Sequence, residues 1–210
     1  ISLKDKGIDS PAKMAEHSYA TWDMPIEQAI IRKIVEDDGG KFEDITMIPS
    51  TVTDVVTALQ TDVDSVWVYY AWDGIATKVK NLETNYLNFA DYGSELDYYS
   101  PVLIVNNDYA KNNSETVKKA LKAIQQGYEF AIENSDEAAQ ILLDAAPELD
   151  PALVKESQAW LAGQYKAEVE QWGYIDQDRW DGFYGWLFEN KLIDKEILKG
   201  TGFTNEYLPE

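Results

Sequence analysis

Aromatic and acidic side chains are concentrated in one short segment, Tyr69-Tyr70-Ala71-Trp72-Asp73-Gly74, which directly follows an apolar run. Aromatic rings offer flat faces for stacking, and the Asp73 carboxylate can accept hydrogen bonds or pair with a cation. This combination suits a flat, hydrogen-bonding ligand that is neutral or cationic. We therefore expect Tyr69, Tyr70, Trp72 and Asp73 to contact such a ligand.

A second candidate segment runs from Trp22 to Glu27, between an apolar run and a helical pattern. Trp22 offers another stacking face, and backbone N–H groups at the helix start after Pro25 could hold a polar or anionic ligand group. Trp22, Asp23 and Glu27 are therefore candidate ligand-binding residues. The structural alternative is that Trp22 fills the core and that Asp23 caps the helix.

A third segment places the hydroxyl groups of Ser50 and Thr51 ahead of a helical pattern that begins near Val55. These hydroxyls could contact a ligand, but Ser and Thr are also common helix caps, and both interpretations remain open. Tyr98 and Tyr99 precede a further apolar run. We expect both tyrosines to border the same ligand site.

Groups suited to covalent or metal-dependent catalysis are scarce in the sequence. It contains no Cys and one His, His17, which falls in a polar stretch where an exposed surface position is expected. There is no glycine-rich nucleotide-binding motif, and Asp37-Asp38-Gly39-Gly40 lacks the spacing of a calcium loop. The sequence therefore favours a binding protein over an enzyme, with no cofactor and no bound metal.

The composition is that of a folded, strongly acidic protein. The 210 residues include 38 acidic and 18 basic side chains, a formal net charge of −20, and 45% are hydrophobic. This apolar content is sufficient for a core, and the charge argues against nucleic acid as a partner because phosphates would be repelled. No apolar run approaches the ~20 residues that cross a bilayer.

Short strand-like runs and helical patterns alternate in the first half of the chain. The helix predicted over Pro25–Asp38 has Ile at every fourth position and ends at Gly39-Gly40. Such alternation predicts an α/β fold with a parallel or mixed sheet, whose strands end at the candidate segments. The predicted strands are Ser18–Trp22, Ile45–Ile48, Ser65–Tyr70 and Val102–Val105.

The second half is predicted to be helical after the strand that ends near Asn107. Each helix has a start signal, either a capping side chain or, in one case, a cap followed by Pro. The predicted starts are Ser114, Ser135 (ending near Ala146-Pro147), Asp150-Pro151 (running toward Gln171) and Asp176, the last with Trp180, Phe183, Tyr184, Leu187 and Phe188 on its buried side.

Several motifs, taken in order, resemble the substrate-binding proteins of ABC importers, in the NMT/THI-like and SsuA-like group related to thiamine-pyrimidine binding and pyrimidine-precursor synthesis. The resemblance covers essentially the whole chain. The motifs are Trp22-Asp23-Met24-Pro25-Ile26-Glu27, Ile48-Pro49-Ser50-Thr51, Ala58-Leu59-Gln60-Thr61-Asp62-Val63-Asp64, Tyr70-Ala71-Trp72-Asp73-Gly74, Gly127-Tyr128-Glu129-Phe130-Ala131-Ile132-Glu133-Asn134, Trp172-Gly173-Tyr174-Ile175-Asp176, Arg179-Trp180 and Phe203-Thr204-Asn205-Glu206-Tyr207-Leu208-Pro209.

This resemblance implies a two-lobed periplasmic-binding-protein fold of type II, closing over one small molecule between the lobes. Residues 1–100 would form lobe two, with its ligand-facing strand-end loops. Residues 101–210 would supply a crossover strand and helices that pack on lobe one. The first strands of lobe one would then precede Ile1.

The implied function is that of the solute-binding component of an ABC importer, which captures a thiamine-related pyrimidine, thiamine or a similar heteroaromatic and delivers it to a permease. The implied protein is a monomeric, periplasmic or extracellular lipoprotein, held at the membrane by an N-terminal lipid anchor outside this sequence. In the family, the loops at Trp22–Glu27 and Tyr70–Gly74 face the ligand. Alternatives are a pyrimidine-precursor synthase-like enzyme, a sulfonate- or nitrate-binding protein, and a sensory module.

Overall fold

The structure, a computed structural model, describes residues 1–167 and 169–209. The chain forms two compact units. The first unit contains Ile1–Asp97 together with Trp186–Lys195, and the second contains Tyr98–Gly185 together with Glu196–Glu210. The assignment of residues 1–100 and 101–210 to particular lobes stays a prediction.

Within the described residues, the first unit is built on a mixed five-stranded sheet with the strand order β3-β2-β4-β1-β5. Strand β2 is parallel to both β3 and β4, whereas β1 is antiparallel to β4 and to β5. The strands are β1 (Ser2–Leu3), β2 (Ser18–Thr21), β3 (Thr46–Pro49), β4 (Ser65–Val66) and β5 (Thr84–Asn85).

Helices α1 (Pro25–Asp37), α2 (Val55–Thr61) and α3 (Ile75–Val79) belong to the same unit. The four-residue spacing of Ile in α1 places Ile30 and Ile34 on one face, where both are buried. The α1 prediction is confirmed to within one residue, as are the β2 and β3 predictions.

The second unit is helical in the described residues. Its helices are α4 (Asn107–Asn112), α5 (Ser114–Glu133), α6 (Ser135–Ala145), α7 (Pro151–Ala162) and α8 (Gln177–Glu189), whose last turn groups with the first unit. Two predicted caps are confirmed: Asp150 accepts hydrogen bonds from the Ala152 and Leu153 amides, and Asp176 accepts one from Arg179.

The strand predicted over Val102–Val105 is wrong. Residues 102–105 are exposed and belong to none of the strands in the described part of the chain, and the side chain of Ile104 is 91% exposed. An apolar run becomes a strand only when another strand pairs with it, because its backbone N–H and C=O groups need partners.

Three element boundaries also differ from the predictions. Strand β4 ends at Val66 rather than Tyr70, since Tyr70 already begins a π-helical turn over Tyr70–Gly74. Helix α7 ends at Ala162, followed by Gly163, well before Gln171. In α8, Trp180 and Leu187 are buried and Phe183 and Tyr184 partly so, as predicted, but the Phe188 side chain is exposed.

In the described residues, no helix is both long enough and apolar enough to span a membrane.

Candidate ligand-binding site

The candidate segments meet at one edge of the sheet. The parallel register aligns Thr21 with Pro49, and Ala20 with Val66, so the carboxyl ends of β2, β3 and β4 lie side by side. The Ser50 amide donates a hydrogen bond of 3.0 Å to the Thr21 carbonyl oxygen, which joins two of the loops directly. Ligands of open α/β sheets bind at this kind of edge.

A row of aromatic rings begins in the first loop. The Trp22 side chain is 40% exposed, and its ring centroid lies 5.6 Å from that of Trp67. Trp67 in turn packs edge-on against Phe89, with centroids 4.4 Å apart. The interpretation of Trp22 as core filling is therefore wrong, because one side of the indole is held by Trp67 while a large part remains open to solvent.

Trp67 and Phe89 were missed in the sequence. Trp67 lies within the predicted strand Ser65–Tyr70, and its position one residue beyond the end of β4, beside the end of β2, is the signal that could have indicated it. Phe89 lies in a stretch without helical or strand periodicity. Only the fold brings it to Trp67.

The third loop forms a π-helical turn, Tyr70–Gly74, that leads directly into α3. Such turns are rare and frequently occur at functional sites. The Tyr70 ring packs on the Tyr86 ring with centroids 4.5 Å apart, and Tyr86 is another residue that the sequence did not single out. Tyr69 and Trp72 are exposed, so their rings can be reached from solvent.

Asp73 is half-buried in this turn. Its burial raises the pKa of the carboxyl group above the usual value, and a hydrogen bond with the Tyr69 backbone opposes the rise in part. A partly desolvated carboxylate beside exposed aromatic rings is a strong acceptor for an amino group of a ligand. The segments 21–27, 48–54 and 69–74 contain no Lys or Arg, so they favour a neutral or cationic ligand over an anion.

Ser50 and Thr51 are both exposed. Helix α2 begins after Asp54, whose carboxylate accepts a hydrogen bond from the Thr57 amide. The alternative in which Ser50 or Thr51 caps this helix is therefore wrong. Their contact with a ligand stays a prediction.

Asp23 does not cap α1 either. Its carboxylate accepts a hydrogen bond from the Gln28 side chain at 2.9 Å, and the residue before the helix is Met24. The Met24 amide is 3.4 Å from the Glu27 carboxylate. The Met24 amide precedes the N–H groups after Pro25, whose binding of a polar or anionic ligand group stays a prediction.

Glu27 is the predicted site residue that the structure contradicts as a direct ligand contact. It is only 3% exposed, and its carboxylate accepts hydrogen bonds from the Tyr19 and Thr21 hydroxyls and from the Trp22 amide. A carboxylate that is buried and surrounded by donors from its own chain is not available to a ligand.

Tyr98 and Tyr99 belong to the second unit. The Tyr98 ring stacks on Phe183 with centroids 4.2 Å apart, and the Arg179 guanidinium lies 4.3 Å from the centre of the Tyr99 ring. The Tyr99 hydroxyl also accepts a hydrogen bond from the Asp176 amide. Both tyrosines are thus engaged by residues of the second unit, and their role in ligand binding stays a prediction.

His17 lies at the amino end of β2, opposite the candidate loops. Its Nδ1 is 3.6 Å from the Asp64 carboxylate, and its side chain is partly exposed. This placement separates the imidazole from the aromatic and acidic loops. In the described residues, no cluster of three His, Asp or Glu side chains is arranged to hold a metal ion.

Comparisons with known proteins found a family model, a relative and a solved structure to which this chain is similar. Residues 1–138 match the family model described as NMT1/THI5 like. The chain is 24% identical over 208 residues to the formylaminopyrimidine-binding protein of Halalkalibacterium halodurans, covering 97% of this chain and 63% of that protein. The chain therefore spans less than two thirds of the length of this relative.

Among solved structures, the chain is similar to the alkanesulfonate-binding protein SsuA from Xanthomonas axonopodis pv. citri bound to MOPS, with a TM-score of 0.60 and 12% identity. The match covers 94% of this chain and 66% of that protein. The likeness shows the fold, which is α/β and of the type II periplasmic-binding-protein class.

Proposed function

Because this chain belongs to the NMT1/THI5-like family, we propose that it is the solute-binding component of an ABC importer for a thiamine-related pyrimidine or a similar heteroaromatic molecule. The observation that carries the proposal is the edge of the sheet where β2, β3 and β4 end. It presents the Trp22–Trp67 aromatic pair and leads into the turn that holds half-buried Asp73.

The chemistry of these loops supports a heteroaromatic amine. An aminopyrimidine has a flat ring for stacking and an exocyclic amine that donates hydrogen bonds to a carboxylate. The relative from H. halodurans is a formylaminopyrimidine-binding protein. In this proposal Trp22, Tyr69, Tyr70 and Trp72 contact the ring, Asp73 accepts from the amine, and Asp23, Ser50 and Thr51 supply further polar contacts.

Delivery to a permease and a location outside the cytoplasmic membrane are parts of the same proposal. They are supported by the family and by relatives that are binding proteins. A lipid anchor and a monomeric state belong to the same proposal, because the family resemblance implies both.

The test is calorimetric titration of the protein with formylaminopyrimidine, hydroxymethylpyrimidine, thiamine, riboflavin, an alkanesulfonate and nitrate. We expect saturable binding of at least one of the heteroaromatic compounds and none of the two anions. Binding of the sulfonate or nitrate alone would contradict the proposed ligand class, because it would require basic groups that the three loops lack.

A synthase-like enzyme on the same scaffold is the alternative function. The separation of His17 from the candidate loops does not favour it. Mixing the protein with pyridoxal phosphate should leave the absorbance spectrum of the free aldehyde unchanged. A new absorbance band typical of a lysine Schiff base would instead support the enzyme.

A further inference from the structure

The turn between β2 and α1 is built around the buried carboxylate of Glu27. Oε2 accepts hydrogen bonds from the Thr21 hydroxyl at 3.0 Å and from the Trp22 amide at 3.0 Å, and it lies 3.4 Å from the Met24 amide. Oε1 accepts from the Tyr19 hydroxyl at 2.7 Å. The charge is therefore stabilised by hydrogen bonds from one short stretch of chain.

The Asp23 amide is linked to the Glu27 carboxylate indirectly. The Asp23 amide donates to the Thr21 hydroxyl oxygen at 2.9 Å, and that hydroxyl donates to Glu27. Three successive backbone N–H groups, those of Trp22, Asp23 and Met24, are thus bound to one carboxylate directly or through a single hydroxyl. Consecutive N–H groups that converge in this way form an anion-binding nest, and here the anion is the chain's own Glu27.

This nest holds a backbone conformation that is otherwise unfavourable. Asp23 has φ = 59°, in the left-handed region that non-glycine residues rarely adopt. Such conformations cost ~1–3 kcal/mol and persist where surrounding contacts fix them. The amides on either side of Asp23 both lie against Glu27, so the carboxylate fixes the turn at the point where it is strained.

We propose that Glu27 is a positioning residue for ligand binding: its carboxylate holds the Trp22–Met24 turn so that the Trp22 indole and the Asp23 carboxylate face the ligand. The inference rests on the proposed function, which makes these two side chains ligand contacts. Glu27 then does not contact the ligand itself but holds the two contact residues in position.

Two substitutions of Glu27 distinguish the effect of its side-chain length from the effect of its hydrogen bonds. Glu27→Met keeps the length of the side chain but leaves the turn amides without an acceptor. Glu27→Gln keeps one oxygen for the turn amides, and its NH₂ group can donate to the Tyr19 hydroxyl, which accepts as well as donates. Glutamine should therefore rescue the turn, whereas methionine should not.

A second pair of variants tests the same point with smaller changes. Thr21→Val removes the hydroxyl that joins the Asp23 amide to Glu27, with almost no change in volume. Tyr19→Phe is the matched control, because it removes a hydrogen bond to the same carboxylate but one that does not come from the turn. Both positions are buried, so both variants should lose some stability.

The experiment measures two quantities in each variant. The first is the Kd, by calorimetry, for whichever of formylaminopyrimidine, hydroxymethylpyrimidine, thiamine and riboflavin binds wild type most tightly. The second is the hydrogen-exchange protection of the Trp22 and Met24 amides, by NMR without ligand. In Glu27→Met we expect the Kd to rise about tenfold or more and amide protection to fall by a similar factor. Thr21→Val should also raise the Kd and lower the amide protection. Glu27→Gln and Tyr19→Phe should stay within about threefold of wild type, which is under ~0.7 kcal/mol.

The outcomes distinguish the inference from the function on which it rests. If wild type binds and Glu27→Met binds equally well, the positioning role is wrong while the proposed function stands. If Tyr19→Phe and Glu27→Gln lose as much affinity as Glu27→Met, the loss reflects general destabilisation and the inference is overturned. If Glu27→Met does not fold, the contrast between Thr21→Val and Tyr19→Phe decides. If wild type binds none of the four heteroaromatic compounds, the proposed function and the inference fail together.

Discussion

Burial of the Asp73 carboxyl group has opposite effects on the stability of the fold and on ligand binding. Burial raises the pKa of its carboxyl group, which means that the charged form is less stable in the folded protein than in water. The folded state therefore gains stability from Asp73 at low pH and loses it as the pH rises through the raised pKa. The same desolvation strengthens a hydrogen bond to a ligand amine.

Asp73→Asn should weaken binding of the heteroaromatic ligand by about tenfold or more, because hydrogen bonds to charged groups contribute ~1.5–3 kcal/mol. Its melting temperature should stay the same or rise slightly, since a desolvated charge is removed. Calorimetry and thermal unfolding of the same samples measure both effects. Asp62→Asn, which removes an exposed carboxylate just after α2, is the control and should leave the Kd unchanged.

Binding by the wild-type protein should also weaken in acid. As the pH falls through the raised pKa of Asp73, the carboxyl group becomes protonated and loses the charge that strengthens its hydrogen bonds to an amine. A Kd measured across the acidic range should rise in wild type and remain flat in Asp73→Asn. An equally steep rise in both proteins would place the titrating group elsewhere.

Trp72→Ala should weaken binding by a similar factor through lost stacking and buried area, because Trp72 is 37% exposed in the free protein and this part of the ring is open to a ligand. Tyr109→Ala removes an exposed aromatic ring from α4 in the second unit and serves as the control. Calorimetry of both variants should show a change in Kd for Trp72→Ala only. An unchanged Kd in Trp72→Ala would show that this ring does not contact the ligand.

The π-helical turn shows how one element depends on a glycine. A Cβ atom at Gly74 would overlap the Tyr70 ring, so the ring can approach the backbone only because no side chain is present. That close approach orients Tyr70 onto Tyr86. Residue type, turn geometry and ring placement are therefore linked in this short segment.

Gly74→Ala should displace the Tyr70 ring, lower the stability by about 1–3 kcal/mol through overpacking, and weaken ligand binding. Gly127→Ala is the matched control, since Gly127 lies in α5 with no atom near the position of an added Cβ. It should stabilise the protein by about 0.5–1 kcal/mol and leave the Kd unchanged. Urea unfolding and calorimetry test both variants. Full affinity in Gly74→Ala would show that the Tyr70 position is not needed.

At the amino ends of the strands, Asp64 joins β4 to β2. Its carboxylate accepts hydrogen bonds from the Ser18 amide and hydroxyl and lies 2.7 Å from the Lys6 ammonium. Partial burial acts to raise the pKa of Asp64, but the bonds from Lys6 and Ser18 outweigh it and hold this pKa well below the usual range. Such a carboxylate stabilises the fold above its ordinary pKa of ~3.9, and the contribution is lost as the pH falls below that value.

Asp64→Asn should therefore lower the free energy of unfolding near neutral pH by about 1.5–3 kcal/mol. The difference from wild type should shrink in acid, where Asp64 of the wild type becomes protonated. Urea unfolding at several pH values measures this. Ligand affinity should not change, because Asp64 lies at the edge opposite the candidate loops. A difference in stability that does not vary with pH would contradict the role given to the charge.

Elements defined by local patterns were predictable, and those defined by distant partners were not. The Ile spacing and the double glycine identified α1, and short buried runs identified β2 and β3. Residues 102–105 have the same apolar character as those runs, but pairing decides whether such a run becomes a strand. No local pattern contains that information.

The same distinction applies to the candidate site. Trp22 and Asp73 could be proposed from their position at strand ends. The contacts of Trp67 with Trp22 and Phe89 depend on strand register and on a distant segment. The role of Glu27 had a local signal, because an acidic residue at the third helical position often bonds the amide before the helix, but its burial had none.

At the scale of the whole molecule, the exposed apolar segment 102–105 is a conspicuous surface feature. An exposed apolar run outside any strand of the described sheet can pair with a strand of another chain. The proposed monomeric receptor should therefore associate weakly through this segment at high protein concentration and return to a monomer on dilution. Static light scattering over a dilution series measures it.

Ile104→Lys should reduce this association without lowering the melting temperature, because the Ile104 side chain makes almost no contact within the chain. Ile141→Lys, an exposed position on α6, is the control for the added charge and should have a smaller effect. Equal reduction by both variants would mean that net charge, rather than this segment, governs association.

The order of the strands also determines when the candidate site can form during synthesis of the chain. Strand β1 lies between β4 and β5, so residues 2–3 find their final neighbours only after residues 65 and 84–85 have left the ribosome. Tyr86 and Phe89 follow β5 immediately and complete the aromatic contacts of Tyr70 and Trp67. The nascent chain can pair β2, β3 and β4 early, but it completes the aromatic surface only with the slow, non-local closure of the sheet.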